Sequence, residues 1–273
     1  MAEILKLGLV QMTSTNTHAE NIAFAQKQVA QAAAQGCDLV AFPEVAGLMN
    51  RKLAATPDQV GPQSTDPFIS ACRKMAKEHR LWIHTGSTPV TGGDDARFLN
   101  HSDLIDHDSQ IVASYDKIHL FDMYPDDGPP MLESKRYAPG HQTALPQTPW
   151  GPLGMSICYD LRFPQLYRDY AQSGATMLFI PSAFTVPTGR AHWEVLLRAR
   201  AIECGCFVIA AAQTGKHDDG RQTYGHSMVV DPWGEVLVDM KTDIGLSIIE
   251  LDMTLVATAR AKIPSLTHDR PIA

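Results

Sequence analysis

One cysteine in this sequence lies at a position where its thiol could act as a nucleophile. Cys158 is part of Gly154-Met-Ser-Ile-Cys-Tyr-Asp-Leu-Arg-Phe-Pro164, where an apolar run gives way to a proline suited to the first turn of a helix. A thiol at such a strand-to-helix turn has free backbone N–H groups nearby, and these can stabilise an oxyanion. Because most free cysteines are simply small buried apolar residues, the role of Cys158 depends on other segments of the chain.

Two other segments carry the polar side chains that a cysteine nucleophile needs. Glu44 ends Ala41-Phe-Pro-Glu44, and the apolar run before it favours a partly buried carboxylate that could accept the thiol proton. Lys117 in Tyr115-Asp-Lys-Ile-His-Leu-Phe121 could hold the oxyanion and protonate a leaving amine. The simpler alternatives are a solvated carboxylate and a lysine at the rim of a hairpin. Together the three residues indicate nucleophilic catalysis by cysteine.

The composition indicates a globular protein that binds neither nucleic acid nor membranes. The chain has 273 residues, of which 44% are hydrophobic, and a net charge of -7 without a basic block. The N-terminus has no signal-peptide pattern, and no apolar run reaches the roughly 18 residues needed to cross a bilayer. An odd number of scattered cysteines does not suggest a disulfide framework, which indicates a reducing, cytoplasmic location. They are Cys37, Cys72, Cys158, Cys204 and Cys206.

The first half of the chain alternates strand and helix patterns. The apolar run from Ile4 to Met12 predicts a strand, and Thr17 with Glu20 predicts a capping box for a helix that ends at Gly36. The other elements predicted here are a strand over Leu39 to Phe42, a helix from Asp66-Pro67, a strand over Leu81 to Thr85, and a hairpin of Phe98 to Ile105 with Ile111 to Tyr115. After it, Phe121 to Gly140 is rich in Pro, Gly and Asp, which predicts a long ordered loop of the kind that often carries function.

The second half repeats the same order of elements. Its predicted elements are a strand over Leu153 to Ile157, a helix from Pro164, a helix over Ala191 to Glu203, a strand over Phe207 to Ala212, a last helix over Met253 to Ala261, and an extended tail through Pro271 that could cross to a partner subunit. Two blocks match by eye: Gly36 to Glu44 with Gly174 to Ser182, and His101 to Asp106 with His226 to Asp231. The pattern predicts a single α/β domain over residues 1–273, a four-layer α-β-β-α sandwich of two mixed sheets with an internal pseudo-two-fold repeat.

The segments with Glu44, Lys117 and Cys158 resemble the catalytic triad of the nitrilase superfamily of carbon–nitrogen hydrolases, and the resemblance extends from Ile4 to the tail. It implies that the glutamate is the general base, the lysine stabilises the tetrahedral intermediate, and the cysteine forms a thioester that water hydrolyses. Glu133 in Met131-Leu-Glu-Ser134 matches a second glutamate that positions the others. The resemblance implies the same α-β-β-α sandwich, and we expect neither a cofactor nor a metal.

Three further segments are most similar to the deaminated-glutathione amidase branch of that superfamily. They are Pro181-Ser-Ala-Phe184, Thr188 to Glu203 and Tyr224 to Gly234. Enzymes of that branch repair a metabolite: they cleave glutathione that has lost its amino group to 2-oxoglutarate and Cys-Gly. The neighbouring ω-amidase branch acts on 2-oxoglutaramate and shares the same frame, so the choice between the two depends on loops.

Both candidate substrates carry a 2-oxo-carboxylate, which requires a cation. Arg162 is well placed because a guanidinium can hold a carboxylate with two bonds, although a structural salt bridge is an alternative role. Tyr159, Phe184 and Thr188 complete the predicted substrate pocket. A larger leaving group would also need a channel, and the cations in the two segments that could flank it are Lys135, Arg136 and Arg190. A solvated loop charge is the simpler role for each of them, so none is assigned as the ligand.

Two other classes of function compete with this interpretation. A metal or redox module could use Cys204 and Cys206 with His192, His217 or His226, but their spacing is not that of a zinc site. A catalytically silent binding protein could share the same fold. Apolar helices after the nucleophile and after Thr188 also predict a homodimer or higher homo-oligomer. The other expected binding partner is a small-molecule amide, the substrate.

Overall fold

A mixed sheet flanked by two helices forms the first half of the protein. The structure is a computed structural model, which describes residues 2–51, 57–92, 96–125 and 130–270. Its elements are β1 (Ile4–Gln11), α1 (His18–Ala34), β2 (Leu39–Ala41), α2 (Pro67–His79), β3 (Trp82–His84), β4 (Thr88–Val90), β5 (Leu99–Ile105), β6 (Ile111–Asp116), β7 (Asp122–Met123) and β8 (Met131–Leu132). Strands β1, β2 and β3 are parallel neighbours, and β5 and β6 follow them in antiparallel order.

The second half builds an equivalent sheet. Its elements are β9 (Gln147–Thr148), β10 (Gly151–Met155), α3 (Pro164–Gln172), β11 (Met177–Phe179), α4 (Val186–Cys204), β12 (Phe207–Ala210), β13 (Thr214–Lys216), β14 (Gln222–Tyr224), β15 (Met228–Val230), β16 (Val236–Asp239), β17 (Gly245–Asp252) and α5 (Thr254–Lys262). Strands β10, β11 and β12 are parallel, and β15 and β16 continue the sheet in antiparallel order. Strand β17 returns to the first sheet beside β1, and β13 pairs with β14 as a separate hairpin.

The internal repeat predicted from the sequence is confirmed down to the register of the strands. Ile83 of β3 pairs with Ile105 of β5, and Val208 of β12 pairs with Val230 of β15. Ile105 and Val230 occupy matching positions in the two repeated blocks, and Ile83 and Val208 lie on the equivalent neighbouring strands, so the halves share strand order and alignment as well as the order of elements.

Alternating side chains of β1 separate the layers. Leu5, Leu7 and Leu9 belong to a buried cluster that also contains residues of the second sheet, such as Met155. Val10, on the opposite face, belongs to a second cluster that contains residues of α1 and α2. Because successive side chains of a strand point to opposite faces, one face of the first sheet packs on the second sheet and the other on helices. The α-β-β-α sandwich is therefore confirmed.

The start of α1 does not use the predicted capping box of Thr17 and Glu20. Thr17 is the capping residue, but its side chain makes no capping hydrogen bond, and its hydroxyl lies 3.2 Å from that of Thr15. Asn21 instead accepts the Thr15 N–H at 2.8 Å and donates to the Gly47 carbonyl at 3.0 Å. The prediction was wrong because a buried asparagine binds the helix start to the loop after β2.

Helix α4 begins at Val186 rather than at Ala191 as predicted, because Pro187 suits a first helical turn. Thr188 therefore lies in that first turn. The helix is 19 residues long, and neither it nor any other described helix is long and apolar enough to cross a membrane.

Two segments that were predicted to lack regular secondary structure contain short elements of it. The loop from Phe121 to Gly140 holds the short ribbon of β7 and β8 and a 3₁₀ turn at Glu133–Lys135, and its residues 126–129 lie outside the described residues. The tail forms a 3₁₀ turn at Ser265–Thr267, and Arg168 donates to the Ser265 carbonyl at 2.8 Å and pairs with Asp269. Up to residue 270 the tail is thus held to its own chain and is not extended, while Pro271 lies outside the described residues.

Gly86 offers a test of how tightly the strand ends pack. Its φ is +70°, and a Cβ there would lie 2.0 Å from the Pro43 carbonyl oxygen. Gly86→Ala should therefore lower the free energy of unfolding by about 2–4 kcal/mol in urea titrations. Gly36→Ala is the matched control, since its φ is +75° but nothing lies within 4 Å of the added Cβ, and it should cost only about 1 kcal/mol. Equal costs for the two variants would contradict this account.

Candidate active site

Four side chains predicted to act together meet at one point. The Lys117 ammonium donates to Glu44 Oε1 at 2.8 Å and to the two oxygens of Glu133 at 3.0 and 2.9 Å. The Cys158 thiol lies within hydrogen-bonding reach of the Glu44 carboxylate. All four residues are largely or fully withdrawn from solvent. The structure thus brings a nucleophile, a carboxylate and a cation into direct contact.

Strand ends position these groups. Glu44 follows β2, Lys117 follows β6, and Cys158 follows β10, so each leaves a rigid strand at the same edge of the sandwich. Cys158 has a φ of +51°, the left-handed conformation of a sharp turn, and its N–H donates to the Pro181 carbonyl at 2.9 Å. The following N–H, that of Tyr159, has no hydrogen-bond partner among the described residues and is available to an oxyanion.

The electrostatics of the site keep the thiol protonated and the lysine charged. Burial and the negative charge of Glu44 raise the pKa of Cys158 well above its usual value, and Lys117 offsets this only partly. Burial alone would lower the pKa of Lys117, but the charges of Glu133 and Glu44 raise it well above its usual value. The resting site therefore holds a thiol next to a carboxylate, with an ammonium bound between two carboxylates.

Asn100 in β5 is a member of the site that the sequence did not reveal. Its side-chain amide donates to Glu44 Oε1 at 3.0 Å and to Glu133 Oε1 at 3.4 Å, and its backbone carbonyl accepts the Lys117 N–H at 3.0 Å. Asn100 directly precedes the repeated block that starts at His101. Its place next to that block was the only feature of the sequence that pointed to Asn100. Its residue type did not, because a polar residue inside a strand usually faces solvent.

Asp160 was also missed, although it lies in the nucleophile segment. It is fully buried and accepts hydrogen bonds from the Tyr115 hydroxyl at 2.8 Å and from the Ile157 N–H at 2.8 Å. It also accepts the backbone N–H of His119 at 2.9 Å and contacts the ring of that residue at 2.7 Å. Asp160 thus connects the segment that carries Lys117 to the turn that carries Cys158.

A small cavity opens beside the nucleophile. It is lined by Phe121, Cys158, Tyr159, Arg162, Ala183, Phe184, Thr185 and Thr188. All four predicted substrate-binding residues belong to this lining, whereas Phe121, Ala183 and Thr185 were not predicted. Glu44 and Lys117 lie behind Cys158 in the same cluster and are not part of this lining.

Arg162 brings a positive charge to this cavity. Its guanidinium carbon lies 5.8 Å from the centre of the Tyr159 ring and 5.6 Å from that of Phe184, and Nη2 lies 3.2 Å from Nδ1 of His192. No carboxylate of the described residues forms an ion pair with it. The alternative role of Arg162 in a structural salt bridge therefore finds no support in the described part of the chain.

The alternative metal site would require Cys204 and Cys206 to meet His192, His217 or His226. Both cysteines are fully buried and contact backbone carbonyls. Each histidine has a different polar partner elsewhere in the protein. Across the described ranges, no three or more His, Cys, Asp or Glu side chains are grouped to hold a metal ion.

Comparison with known proteins shows extensive similarity. The carbon-nitrogen hydrolase family matches residues 6–261. The deaminated glutathione amidase of Mus musculus is 40% identical over 98% of this chain and 84% of its own length, and that of Dictyostelium discoideum is 36% identical over 99% and 95%. The nitrilase and fragile histidine triad fusion protein of Caenorhabditis elegans is 39% identical over 97% of this chain, which spans 60% of that longer protein.

Solved structures share the fold. The crystal structure of the C. elegans fusion protein superposes with a TM-score of 0.89 at 38% identity over 99% of this chain and 66% of that chain. A Saccharomyces cerevisiae member of the nitrilase superfamily gives a TM-score of 0.89 at 26% identity over 100% and 98%. An amidase from Nesterenkonia sp. gives 0.78 at 27% identity over 97% of each chain.

Glu44→Gln should make the Cys158 thiol more acidic and at the same time slow amide hydrolysis. Burial and the charge of Glu44 raise the pKa of Cys158 and the charge of Lys117 lowers it, so removing the Glu44 charge leaves burial to oppose Lys117 without it. The pKa of the thiol should fall, while amide hydrolysis should drop at least about a hundredfold because no base accepts the proton. The pH dependence of alkylation by iodoacetamide measures the pKa, with Cys158→Ala reporting the background from the other cysteines. An unchanged or higher thiol pKa in Glu44→Gln would contradict this description of the site.

Proposed function

This chain belongs to the carbon–nitrogen hydrolase family, and from that premise we propose that it hydrolyses deaminated glutathione to 2-oxoglutarate and Cys-Gly. The observation that carries the proposal is the contact of Cys158 and Lys117 with Glu44 beside a cavity that contains the guanidinium of Arg162. The near full-length relatives named deaminated glutathione amidase support this choice of substrate.

The proposed reaction begins at the thiol. Glu44 accepts the proton of Cys158 as the sulfur attacks the amide carbon, and the carbonyl oxygen becomes an oxyanion. Lys117 and the Tyr159 N–H stabilise that oxyanion. The carbon–nitrogen bond then breaks, Glu44 returns the proton to the leaving amine, and a thioester remains on Cys158. The raised pKa of Lys117 supports a role as a permanent cation, rather than as the proton donor that the sequence also allowed.

Hydrolysis of the thioester reuses the same groups. Glu44 accepts a proton from water as the water oxygen attacks the thioester carbon, and the carbon–sulfur bond breaks as Cys158 regains its proton. Glu133 acts as a positioning residue in this scheme. It binds Lys117 with both oxygens and accepts the Phe121 N–H at 2.5 Å, which holds the ammonium at the reaction centre.

The acyl half of the substrate fits the cavity chemically. We assign its 2-oxo-carboxylate to Arg162, the cation in the lining, with Tyr159, Phe184 and Thr188 as the surrounding wall. The Thr188 hydroxyl lies 2.8 Å from that of Thr185, so this pair of hydroxyls can turn a donor toward the ligand.

An ω-amidase that acts on 2-oxoglutaramate is the second candidate. Its substrate has the same acyl half and would use Arg162 in the same way, so only the leaving group distinguishes the two activities. A catalytically silent binding protein is disfavoured, because a binding protein has no need for a thiol placed against a buried carboxylate and ammonium.

A location in the cytoplasm is part of the proposal. All five cysteines, Cys37, Cys72, Cys158, Cys204 and Cys206, are free and buried. A reducing compartment keeps thiols in this state, and the proposed nucleophile requires it.

The choice of substrate is tested by comparing the two amides. We expect kcat/KM for deaminated glutathione to exceed that for 2-oxoglutaramate by about tenfold to a hundredfold, because a single charged contact to the larger leaving group is worth about 1.5–3 kcal/mol. Cys158→Ala should keep the fold and lose both activities, which links turnover to this site. A preference for 2-oxoglutaramate would indicate an ω-amidase instead.

We also propose that the protein works as a homodimer or a higher oligomer built on one. Val195 and Ile202 lie on one face of α4 and are 69% and 54% exposed. Trp233 and Ile263 are 55% and 59% exposed and border the same cleft as Ile202. Isolated apolar side chains are common on surfaces, but exposed apolar residues gathered around one cleft favour association.

Light scattering at micromolar concentration tests the oligomer. The protein should elute with at least twice the mass of one chain, and Ile202→Glu should shift it to the monomer by placing a charge in the apolar cleft. Ile244→Glu is the matched control, since Ile244 is 58% exposed but does not line this cleft. A monomer of the unmodified protein with full activity would refute the proposal.

A further inference from the structure

Two loops bordering the candidate active site bring arginines together. Arg136 follows the turn that contains Glu133, and its Nη1 lies 3.4 Å from the carbonyl oxygen of Arg51. Arg51 ends the described part of the loop that starts at Glu44. Each of these arginines therefore lies on a segment that also supplies a carboxylate of the site.

A third arginine comes from the hairpin of β13 and β14. Arg221 directly precedes β14. The hairpin is anchored on both sides of the site, because the Gln213 side chain donates to the Glu44 carbonyl at 2.9 Å and the Tyr224 N–H donates to the Phe184 carbonyl at 3.0 Å. Arg221 is thus held at the border of the site by contacts to both halves of the sandwich.

Among the described residues, Asp219 is the one carboxylate that forms an ion pair with any of the three arginines. Burial, then the charge of Arg221 and that of Arg136, lower the pKa of Arg51, and Asp219 opposes this. Asp219 already pairs with Arg221 at 2.6 Å. The Nε–H of Arg136 is buried and has no hydrogen-bond partner within the described ranges. Clustered cations with one shared carboxylate and an unused donor favour the binding of an anion.

Tyr137 is under the electrostatic influence of both the arginines and the catalytic carboxylates. Burial raises the pKa of Tyr137 to about 12, Arg221 and Arg136 act to lower it, and Glu133 and Glu44 act to raise it. The buried ring of Tyr137 thus lies within the electrostatic range of both the arginines and the catalytic carboxylates. None of the three arginines lines the cavity that contains Arg162. The three arginines are therefore distinct from the cation in that cavity.

We infer that Arg51, Arg136 and Arg221 form a second anion subsite, which binds the carboxylate of the leaving group. This inference rests on the proposed function, in which Arg162 holds the carboxylate of the acyl half. Deaminated glutathione carries a carboxylate at each end, whereas 2-oxoglutaramate has none on its leaving group. Guanidinium groups suit this role because they bind carboxylates with paired, charge-assisted hydrogen bonds.

The test compares deaminated glutathione with its C-terminal carboxamide, which lacks the negative charge on the leaving group. The unmodified enzyme should cleave the carboxamide with a kcat/KM lower by about tenfold or more. Arg136→Gln and Arg221→Gln should each lower kcat/KM for deaminated glutathione by about tenfold and leave that for the carboxamide nearly unchanged. Arg136→Lys keeps the charge and should recover part of the preference, which a role in packing alone would not predict.

Arg73→Gln is the control, since Arg73 lies on α2 and its guanidinium donates to the Ser109 carbonyl at 2.9 Å. It should leave both substrates unaffected. Equal rates of the unmodified enzyme on the two substrates, or equal losses on both in the arginine variants, would overturn the subsite while leaving the proposed function intact. An unmodified enzyme that turns over 2-oxoglutaramate but neither glutathione derivative would overturn the proposed function itself.

Discussion

The buried ammonium of Lys117 is the constraint on which the site depends. Its side chain is 2% exposed, and removing a charge from water costs several kcal/mol. Two carboxylates and three short hydrogen bonds compensate for this cost, and Asn100 donates to both carboxylates. Because none of these groups can move far without leaving a buried charge unpaired, the cluster requires a rigid scaffold.

The repeated sandwich supplies that scaffold. Glu44 and Lys117 come from the first half and Cys158 from the second, so the site exists only where the two halves meet. Asp160 joins the halves by accepting bonds from the Tyr115 hydroxyl and the turn of the nucleophile. The block that ends in Glu44 matches the one that ends in Ser182, yet among the described residues the Ser182 hydroxyl donates only to the Ile180 carbonyl. One copy of the repeat has thus kept a structural role and the other carries a group of the site.

The layers and the side chains of Glu44, Lys117 and Cys158 were predicted from the sequence for a common physical reason, whereas Glu133 was predicted only from the resemblance to the family. A long apolar strand can be recognised from its own residues, and a polar residue directly after it is easily identified as a candidate for the site. Asn100 escaped notice because its partners lie far away in the chain, at Glu44 and Glu133. The start of α1 was mispredicted in the same way, since Asn21 bonds to a distant loop where Thr17 offered a local cap. Contacts between segments that are distant in the chain produce no periodic pattern of residues, so the sequence alone does not predict them.

The same cluster explains how a buried site can generate a nucleophile without creating charge. At rest the thiol is neutral, and two carboxylates with one ammonium give a net charge of minus one. In the proposed attack, Glu44 becomes neutral as the carbonyl oxygen of the substrate becomes negative, so the net charge is unchanged. The negative charge only moves from one neighbour of Lys117 to another. In a medium of low polarity, moving a charge between partners of one fixed cation costs far less than separating two new charges.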